Sequence, residues 1–425
     1  MTQQNEYAVA TKSGALDAVA AVPGSKSIAH RALICAALAR GDSTITGLPD
    51  GDDTQAMLQG LMLLGATISL DGADTHIEGS IDLDRTDAIT VDANLAGTTA
   101  RFLTAVGALR RGSITVTGNE SLRSRPMKDL HLALEQLGAD VSWQNEKYCL
   151  PVTVQRGESY SHSVQVAADT SSQFVTSLML IAPILPNGLT IELTGDIISL
   201  PYIAMSASVM NSFGAHVRIA DNRIIVIDGG GYVGCRFAVE PDASSASYPF
   251  AAAAVVGGRV RVDGMRSNMM QGDSRFVDVL RQMGCDISED QAGITVGRDT
   301  NEPLQGVDID MSEISDLVPT LAIVAMFAKT PTRIRNVGFI RNKESDRIGD
   351  LASEMRSLGA KVVEHEDGLE ILPQALHGGS CDTHHDHRIA MAFGVAGLKV
   401  PGVIINQANV VSKSWPQFWA MLEAL

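Results

Sequence analysis

One short pattern that recurs along the chain most constrains its fold. Helix-type segments end in Leu-Gly-Ala or a close variant, and a β-type segment follows each of them. Successive glycines of this pattern are separated by 70 to 76 residues, and they are Gly65, Gly138, Gly214, Gly284 and Gly359. The C-terminal sequence WPQFWAMLEAL is typical of a sixth helix in the same series. We therefore predict six repeated units of roughly 70 residues each.

A second pattern alternates with the first and occurs six times. A helix of small residues is followed by a turn and a short alternating strand, as in GDSTITGL, RGSITVTGN, NGLTIELTG, GGRVRVDGM, TPTRIRNVG and PGVIINQAN. Glycine at a helix C-terminus supplies a left-handed cap, and alternation with period two indicates a half-buried strand. These features predict an α/β fold with three units in each of two lobes, the first spanning 21–240 and the second 241–425. Residues 1–20 are predicted to complete the second lobe with a strand.

The composition excludes several classes of protein. A net charge of −16 disfavours binding to nucleic acid or to anionic membranes. The five cysteines are scattered and form no CxxC pair, which predicts reduced thiols and no zinc site. The N-terminal residues lack a hydrophobic signal core, and the longest apolar stretches are shorter than the ~20 residues that span a bilayer. We expect a soluble, cytoplasmic monomer.

The first helix of each unit is predicted to begin with residues suited to capping or to anion binding. The six starts are PGSKSIAHR, LAGTTARF, DTSSQFVT, DASSASYP, EISDLVPT and HHDHRIAM. A helix N-terminus offers unpaired N–H groups and a partial positive charge. Basic residues also stand at the starts of later elements, namely Arg123, Arg125, Lys343, Arg347 and Lys413. Basic residues at matching positions in an otherwise acidic chain predict a site for phosphate and carboxylate groups.

Two familiar kinds of site do not fit these motifs. A P-loop needs glycines where Ser25 and Ala20 precede Lys26. The histidines of HHDHR have no further ligands at metal-binding spacing, so we expect neither a metal nor a cofactor. Asp316, before an apolar helix, and Glu344, between basic residues, are either acid–base groups or ordinary caps and ion pairs.

The ordered motifs PGSKS, AGT..R, RP, SSQF, S.PY, DASSASY, KE.DR, DHR and SK.WP resemble those of the enolpyruvyl transferases, in particular members that act on shikimate 3-phosphate. The resemblance extends from Lys26 to Lys413. It implies a two-lobed fold with three βαβαββ-like units in each lobe, an inside-out α/β barrel, and an active site in the interlobe cleft. The implied reaction moves the carboxyvinyl group of phosphoenolpyruvate to the 5-hydroxyl of shikimate 3-phosphate through a tetrahedral intermediate, with release of phosphate and without a cofactor.

The resemblance also implies roles for individual residues. The implied contacts to shikimate 3-phosphate are Lys26, Ser27, Arg31, Ser171, Ser172, Gln173, Ser199, Tyr202, Asp316 and Lys343. The implied contacts to phosphoenolpyruvate are Lys26, Gly97, Arg125, Gln173, Arg347, Arg388 and Lys413. Asp316 is the implied base for the 5-hydroxyl, and Glu344 handles the proton at C3. Lys26, His387 and Lys413 are further candidates for proton transfer.

Three positions depart from the common family pattern, and two other functions stay open. Leu95, Phe102 and Phe339 stand where many members have Asn, Pro and Asn, which leaves sensitivity to glyphosate open. The related enzyme that acts on UDP-N-acetylglucosamine is one alternative, although Ser27 follows Lys26 here and the RSRPM loop contains no cysteine. A non-catalytic anion-binding relative is the other, although both Asp316 and Glu344 are present.

Overall fold

The computed structural model describes residues 6–79 and 81–425 of the chain. These residues divide into two compact units. Unit I contains Gly24–Val239, and unit II contains Met1–Pro23 together with Glu240–Leu425.

Strands and helices are interspersed throughout the described residues. The strands are β1 (Glu6–Ala8), β2 (Leu16–Ala20), β3 (Ala39–Arg40), β4 (Ser43–Thr46), β5 (Thr67–Asp71), β6 (Asp74–Glu78), β7 (Ile89–Asp92), β8 (Ile114–Thr117), β9 (Asp140–Trp143), β10 (Val152–Gln155), β11 (Ser163–Ala167), β12 (Leu189–Thr194), β13 (Val217–Ala220), β14 (Ile224–Ile227), β15 (Tyr232–Val233), β16 (Arg236–Ala238), β17 (Gly258–Asp263), β18 (Asp286–Glu289), β19 (Gly293–Arg298), β20 (Asp308–Asp310), β21 (Thr332–Arg335), β22 (Lys361–His365), β23 (Gly368–Leu372), β24 (Gly379–Cys381) and β25 (Val403–Asn406).

The α-helices come in pairs within each repeat, with one additional short helix, α4. They are α1 (Lys26–Ala37), α2 (Asp52–Leu63), α3 (Gly97–Gly107), α4 (Glu120–Arg123), α5 (Lys128–Leu137), α6 (Ser172–Ile181), α7 (Leu200–Ser212), α8 (Ala243–Val256), α9 (Phe276–Gln282), α10 (Val318–Ala325), α11 (Gly349–Ser357), α12 (His387–Gly397) and α13 (Phe418–Ala424). Short 3₁₀ helices cover Ala182–Ile184, Gly272–Arg275, Ser312–Leu317, Gly338–Asn342 and Ala408–Lys413.

The sheets repeat one topology. Unit I contains the four-stranded sheets β16-β4-β6-β5, β7-β8-β10-β9 and β11-β12-β14-β13 and a small β15-β3 pair, and unit II contains β2-β17-β19-β18, β20-β21-β23-β22 and β24-β25-β1. In each four-stranded sheet the first two strands are parallel and the next two pairings are antiparallel. Where two parallel strands follow one another in the chain, as β11 and β12 do, a helix connects them, and a second helix leads into the antiparallel hairpin. The predicted α/β fold of repeated βαβαββ-like units is confirmed.

The two N-terminal strands belong to unit II although they precede unit I in the chain. Strand β1 pairs antiparallel with β25, with Glu6 opposite Asn406. Strand β2 pairs parallel with β17, with Leu16 opposite Gly258. In unit I the equivalent position beside β4 is filled by β16, from the end of that unit. The chain therefore completes the first sheet of each unit with a strand distant in sequence.

The recurring glycines take the backbone conformation that their pattern predicts. Gly65, Gly138, Gly214, Gly284 and Gly359 have φ between +80° and +104°. A side chain disfavours this left-handed region, so glycine ends each helix at little conformational cost. Strands β5, β9, β13, β18 and β22 follow directly, as the repeat predicts.

The first helices of the repeats form the interior of each unit. In unit I, α3 contacts α6, and in unit II α8, α10 and α12 contact one another. Every residue of α8 is buried, which fits its run of alanine and valine because a helix that is apolar on all sides is a core helix. The sheets carry the exposed faces, as in β5, where no residue is fully buried. Among the described helices, none combines the length and the apolar character needed to span a membrane.

Candidate active site

In unit II, three carboxylates share the guanidinium group of Arg347. This side chain is 1% exposed. Its Nε donates to Asp386 Oδ2 at 2.7 Å, its Nη1 to Asp316 Oδ1 at 3.1 Å, and its Nη2 to Glu344 Oε2 at 2.9 Å. A buried charge is stable only when it is paired and hydrogen-bonded, and Arg347 meets this condition through three separate segments of the chain. The arrangement fixes both predicted acid–base residues around one cation.

Asp386 holds this cluster to the start of α12. It is completely buried and is the residue that caps the helix. Its Oδ1 accepts from the backbone N–H of Arg388 at 2.9 Å, while the hydroxyl of Ser345 donates to Oδ2 at 3.1 Å. An aspartate at this position pairs with free helix N–H groups and favours the positive end of the helix dipole. Asp386 therefore orients Arg347 and Arg388 together.

Asp316 lies in the 3₁₀ turn that precedes α10. Arg388 Nη2 donates to Asp316 Oδ2 at 2.9 Å, so this carboxylate contacts two arginines. Burial by itself would raise the pKa of Asp316, but the positive charges of Arg388, Lys343 and Arg347 outweigh it. They hold the pKa well below its ordinary value despite the nearby Glu344. Asp316 is consequently an ionised hydrogen-bond acceptor at neutral pH.

Glu344 bridges two buried cations. Lys413, at the end of a 3₁₀ helix and 5% exposed, places Nζ 3.0 Å from Glu344 Oε1. The other carboxylate oxygen accepts from Arg347. Glu344 is thus held between two positive charges, a position from which a carboxyl group can exchange a proton with a bound ligand.

Two further predicted residues lie beside this cluster. His387, the first residue of α12, is 2% exposed and its Nδ1 is 3.6 Å from Asp386 Oδ1. Lys343 places Nζ 6.0 Å from the centre of the Phe339 ring and contributes to the field at Asp316. His384, in the same HHDHR motif, instead contacts Glu354 at 2.8 Å. In the part of the chain that the structure describes, no three His, Cys, Asp or Glu side chains are grouped to hold a metal ion.

In unit I, Lys26 begins α1 and pairs with a residue of the next helix. Its Nζ is 2.8 Å from Asp53 Oδ2, in the first turn of α2. The Asp53 side chain is only 4% exposed, whereas that of Lys26 is 20% exposed. The buried aspartate therefore fixes the lysine ammonium group, while part of the lysine side chain remains accessible to a ligand.

Arg31 is fully enclosed one turn further along α1. Its Nη1 donates to the carbonyl oxygen of Ser27 at 2.7 Å, and its Nε donates to Ser206 Oγ at 2.8 Å. Its guanidinium carbon lies 6.0 Å from the Tyr202 ring and 5.7 Å from the Phe102 ring. Burial lowers the pKa of Arg31 to about 10, which leaves it cationic at neutral pH. The residue joins α1 to α7 and orders the segments that carry Ser27 and Tyr202.

A second group of unit I residues surrounds the start of α3. Gly97 is its first residue, and a Cβ atom there would lie 2.9 Å from Arg101 Nη1 and 3.6 Å from Arg125 Nη1. Two guanidinium groups thus approach the helix start closely because glycine leaves the space. Arg101 Nη1 also donates to Gln173 Oε1 at 2.5 Å, which ties α3 to α6.

The predicted serines occupy helix starts. Ser171 caps α6, its Oγ accepting from the Gln173 N–H at 3.3 Å, and Ser172 is the first residue of that helix. Ser199 precedes α7 in the left-handed region with φ +55°, and its carbonyl accepts from the Tyr202 N–H at 3.0 Å. These backbone turns present hydroxyl and N–H groups together, an arrangement suited to binding phosphate.

The structure thus joins most of the predicted residues within each unit. In unit II, direct ion pairs connect Asp316, Glu344, Arg347, Arg388 and Lys413. In unit I, the predicted residues form three neighbouring groups around Lys26, Arg31 and Gly97. Asp53, Arg101 and Asp386 belong to these groups as well, although none of them is among the site residues predicted from the sequence. Asp386 and Arg101 had usable signals, since Asp386 stands at a predicted helix start, where aspartate is a favoured cap, and Arg101 is the arginine of the AGT..R motif.

The chain is similar to known proteins over nearly its whole length. The family model of EPSP synthase (3-phosphoshikimate 1-carboxyvinyltransferase) matches residues 10–422. A 3-phosphoshikimate 1-carboxyvinyltransferase of Nostoc punctiforme is 41% identical over 420 residues, covering 96% of this chain and 97% of the relative. One from a Shewanella species is 39% identical over 412 residues, covering 95% of this chain and 96% of the relative.

Solved structures support the same relationship. EPSP synthase from Acinetobacter baumannii superposes with a TM-score of 0.82 at 26% identity, covering 98% of this chain and 97% of that chain. The enolpyruvyl transferase NikO from Streptomyces tendae has a TM-score of 0.79 at 18% identity, covering 99% and 96%, and this likeness concerns the fold alone. The predicted enolpyruvyl transferase fold is confirmed. On the extent of these matches, the chain belongs to the EPSP synthase (3-phosphoshikimate 1-carboxyvinyltransferase) family.

Proposed function

We propose that this chain transfers the carboxyvinyl group of phosphoenolpyruvate to the 5-hydroxyl of shikimate 3-phosphate, a step in the synthesis of aromatic amino acids. Its family membership supports this reaction. The observation that carries the residue assignment is the placement of Asp316 and Glu344 on the same buried guanidinium group, that of Arg347. Two carboxylates fixed around a cation provide separate groups for the two proton transfers that the reaction needs.

We assign the recognition of shikimate 3-phosphate mainly to unit I. The phosphate-binding groups are the hydroxyls and N–H groups at the helix starts, and the proposed contacts are Lys26, Ser27, Arg31, Ser171, Ser172, Gln173, Ser199 and Tyr202. Asp316 and Lys343 of unit II are proposed to contact the shikimate ring. Because Arg31 already donates to Ser27 and packs near Tyr202, its contribution includes ordering those two contacts.

We assign the recognition of phosphoenolpyruvate to cations of both units. The proposed contacts are Lys26, Gly97, Arg125, Gln173, Arg347, Arg388 and Lys413. Arginine suits this substrate because its planar fork can donate two hydrogen bonds to one carboxylate or phosphate. The substrate's negative groups would compete with Asp316 for Arg347 and Arg388. Weakening those ion pairs raises the basicity of Asp316 at the moment when it must accept a proton.

The first proposed step is an addition. Glu344 delivers a proton to C3 of phosphoenolpyruvate, and the 5-hydroxyl oxygen forms a bond to C2. Asp316 accepts the proton that the hydroxyl loses. The resulting tetrahedral carbon carries a methyl group, the carboxylate, the phosphate and the new ether oxygen.

The second proposed step is an elimination. Glu344 takes a proton back from the methyl group, the C2–C3 double bond reforms, and phosphate leaves with the electron pair of its bond to C2. The proton that Asp316 accepted then passes to the departing phosphate, so that both carboxylates return to their starting states. Lys26, Arg125 and Lys413 stabilise the charge that develops on the departing phosphate. Lys413, at 3.0 Å from Glu344, is also placed to share its proton, and Lys26 and His387 are the remaining candidates for proton exchange.

The acceptor specificity distinguishes this proposal from its nearest rival. Purified protein is mixed with phosphoenolpyruvate and either shikimate 3-phosphate or UDP-N-acetylglucosamine, and phosphate release is followed. We expect release with shikimate 3-phosphate and none above background with the sugar nucleotide. Turnover with the sugar nucleotide alone would overturn the acceptor assignment. Absence of turnover with either acceptor, together with binding of both substrates, would instead favour a non-catalytic anion-binding relative.

Some properties of the whole protein are part of the same proposal. We propose that units I and II correspond to the two lobes of the family, and that the protein acts as a cytoplasmic monomer. The five cysteines are all unpaired, and Cys35, Cys149, Cys285 and Cys381 are buried, which suits a reducing compartment.

A further inference from the structure

The loop that carries Arg125 is held by a closed set of contacts outside the residues considered so far. Arg125 follows the short helix α4 and is separated from α5 by Pro126 and Met127. The N–H of Met127 donates to the carbonyl oxygen of Tyr148 at 2.8 Å, and the carbonyl of Met127 accepts from the N–H of His131 at 3.1 Å. Both backbone groups of Met127 are therefore fixed from the C-terminal side of the loop.

Tyr148, which accepts this bond, has an unusual backbone conformation. Its φ is +70°, in the left-handed region that a bulky aromatic residue rarely occupies. Its ring packs edge-on against Trp143, with ring centroids 5.2 Å apart. The aromatic contact thus helps to stabilise the strained residue that anchors Met127.

A partly buried hydrogen bond then connects Trp143 to α5. The indole Nε1 of Trp143 donates to Nδ1 of His131 at 2.9 Å. Because an indole N–H can only donate, His131 must accept at Nδ1 and carry its proton on Nε2. His131 is completely buried, and burial lowers its pKa to about 4, so the ring is neutral at physiological pH. Among the described residues, none forms a hydrogen bond with His131 Nε2.

These contacts form a closed circuit. Met127 bonds to Tyr148, Tyr148 packs on Trp143, Trp143 bonds to the ring of His131, and the backbone of His131 bonds back to Met127. We call these four residues the Met127 circuit. Met127 is itself 1% exposed, and it lies two residues after Arg125. The position of Arg125 beside Gly97 at the start of α3 depends on the loop that this circuit closes.

We propose that His131 and Trp143 are positioning residues for phosphoenolpyruvate, acting through the Met127 circuit to set the Arg125 guanidinium. This inference rests on the proposed role of Arg125 in binding that substrate. Neither positioning residue is expected to touch the substrate. Loss of the indole–imidazole bond should displace Arg125, and a misplaced guanidinium loses affinity for a two-pronged anion more than it loses folding stability.

The first test removes the bond and keeps the ring. Trp143→Phe retains an aromatic ring next to Tyr148 but cannot donate to His131. We expect KM for phosphoenolpyruvate to rise about 5- to 20-fold, with KM for shikimate 3-phosphate changed less than about twofold. Asp140→Asn is the matched control, because Asp140 is an exposed residue of the same strand, β9, and its carboxylate accepts from Gln155, outside the circuit. The control should leave both constants unchanged.

The second test asks whether the acceptor on α5 is what matters. His131→Leu removes the acceptor, whereas His131→Asn can place its amide oxygen close to the position of Nδ1. We expect His131→Leu to raise KM for phosphoenolpyruvate and His131→Asn to restore most of the affinity. A purely structural role would lower the melting temperature and affect both substrates alike. Equal effects on the two KM values, or no effect in folded Trp143→Phe protein, would overturn the inference.

A reference variant separates this inference from the proposed function. Arg125→Lys should raise KM for phosphoenolpyruvate by itself, and adding Trp143→Phe to it should have less than about twofold further effect because the positioned group is already gone. If Arg125→Lys has no effect, the proposed role of Arg125 fails. If Arg125→Lys has its effect while Trp143→Phe adds its full effect on top, only the positioning inference fails.

Discussion

Glu344 and Arg347, three residues apart, are joined by a 2.9 Å ion pair in which the arginine is buried and the carboxylate remains partly accessible. Lys413 binds the other oxygen of Glu344 at 3.0 Å. The carboxylate is thus held on both sides while 16% of its side chain remains exposed to a ligand. This is the geometry expected of a group that transfers a proton, because it is fixed in position and still reachable.

Replacing Glu344 with glutamine should separate catalysis from binding. The amide retains the shape of the side chain but cannot exchange the C3 proton, so kcat should fall about 10²- to 10⁴-fold. The dissociation constant for shikimate 3-phosphate, measured by calorimetry, should stay within about twofold. Glu364→Gln is the matched control, because Glu364 forms an exposed pair with Arg356 and should leave both values unchanged. Near-normal turnover in Glu344→Gln would remove Glu344 from its role.

Replacing Asp386 with asparagine should destabilise the protein as well as weaken substrate binding. The change neutralises the carboxylate that accepts two bonds from Arg347 and leaves that buried cation less well paired. The free energy of unfolding, measured by urea denaturation, should fall by about 3–5 kcal/mol. Asp17→Asn, which alters an exposed pair with Arg259, should cause no measurable loss. An equally small loss of unfolding free energy in Asp386→Asn would show that Arg347 does not depend on the Asp386 carboxylate.

A buried aspartate in unit II should make stability depend on pH. Asp273 is 5% exposed, lies in the 3₁₀ helix before α9 and accepts a short hydrogen bond from Ser244. Burial, followed by the negative charge of Asp316, raises its pKa to about 7, against the opposing effects of Ser244 and Arg388 and with a small further rise from Asp242. In the unfolded chain its pKa returns to about 4. The folded state therefore retains a proton that the unfolded state releases between these values.

The sign of the effect follows from that difference. The contribution of Asp273 to stability is complete below about pH 4 and decreases as pH rises to about 7, by about 1.4 kcal/mol per pH unit. Asp273→Asn has no titrating group at this position but retains an amide oxygen for Ser244. Its free energy of unfolding, relative to that of the unmodified protein, should consequently increase from pH 4 to pH 7. A difference that stays constant over this range would show that Asp273 is ionised in the folded protein.

The repeated units could be predicted because local sequence patterns indicate where their helices and strands begin and end. In the first five units, a glycine such as Gly138 ends the second helix in the left-handed region, and the strand that follows alternates in polarity. The pairing of strands that are far apart in the sequence has a weaker local signal. The pairing of β2 with β17 and of β16 with β4 depends on sheet edges that are distant in sequence.

The candidate site was predictable in its charged members and unpredictable in their supports. In an acidic chain, the sequence marks Lys26, Arg347 and Lys413 as basic residues close to predicted element starts, although the structure places Lys413 at the end of a 3₁₀ helix. Asp53, by contrast, is one of many aspartates, and only the packing of α2 beside α1 brings it within 2.8 Å of Lys26. His131 and Trp143 are likewise brought together by tertiary contacts between α5 and β9. Residues that position a site residue through tertiary contacts are therefore hard to identify from the local sequence pattern.

The proposed addition and elimination can be tested directly by running the reaction in D₂O and analysing the vinyl methylene of the product by NMR. Addition places one solvent deuteron on C3 to form a methyl group, and elimination removes one hydrogen or deuteron from it. The account therefore predicts deuterium at C3 in product formed by the unmodified protein and almost no product formation by Glu344→Gln. Product formed at the full rate with no deuterium at C3 would contradict the proton transfer assigned to Glu344 and the tetrahedral intermediate with it.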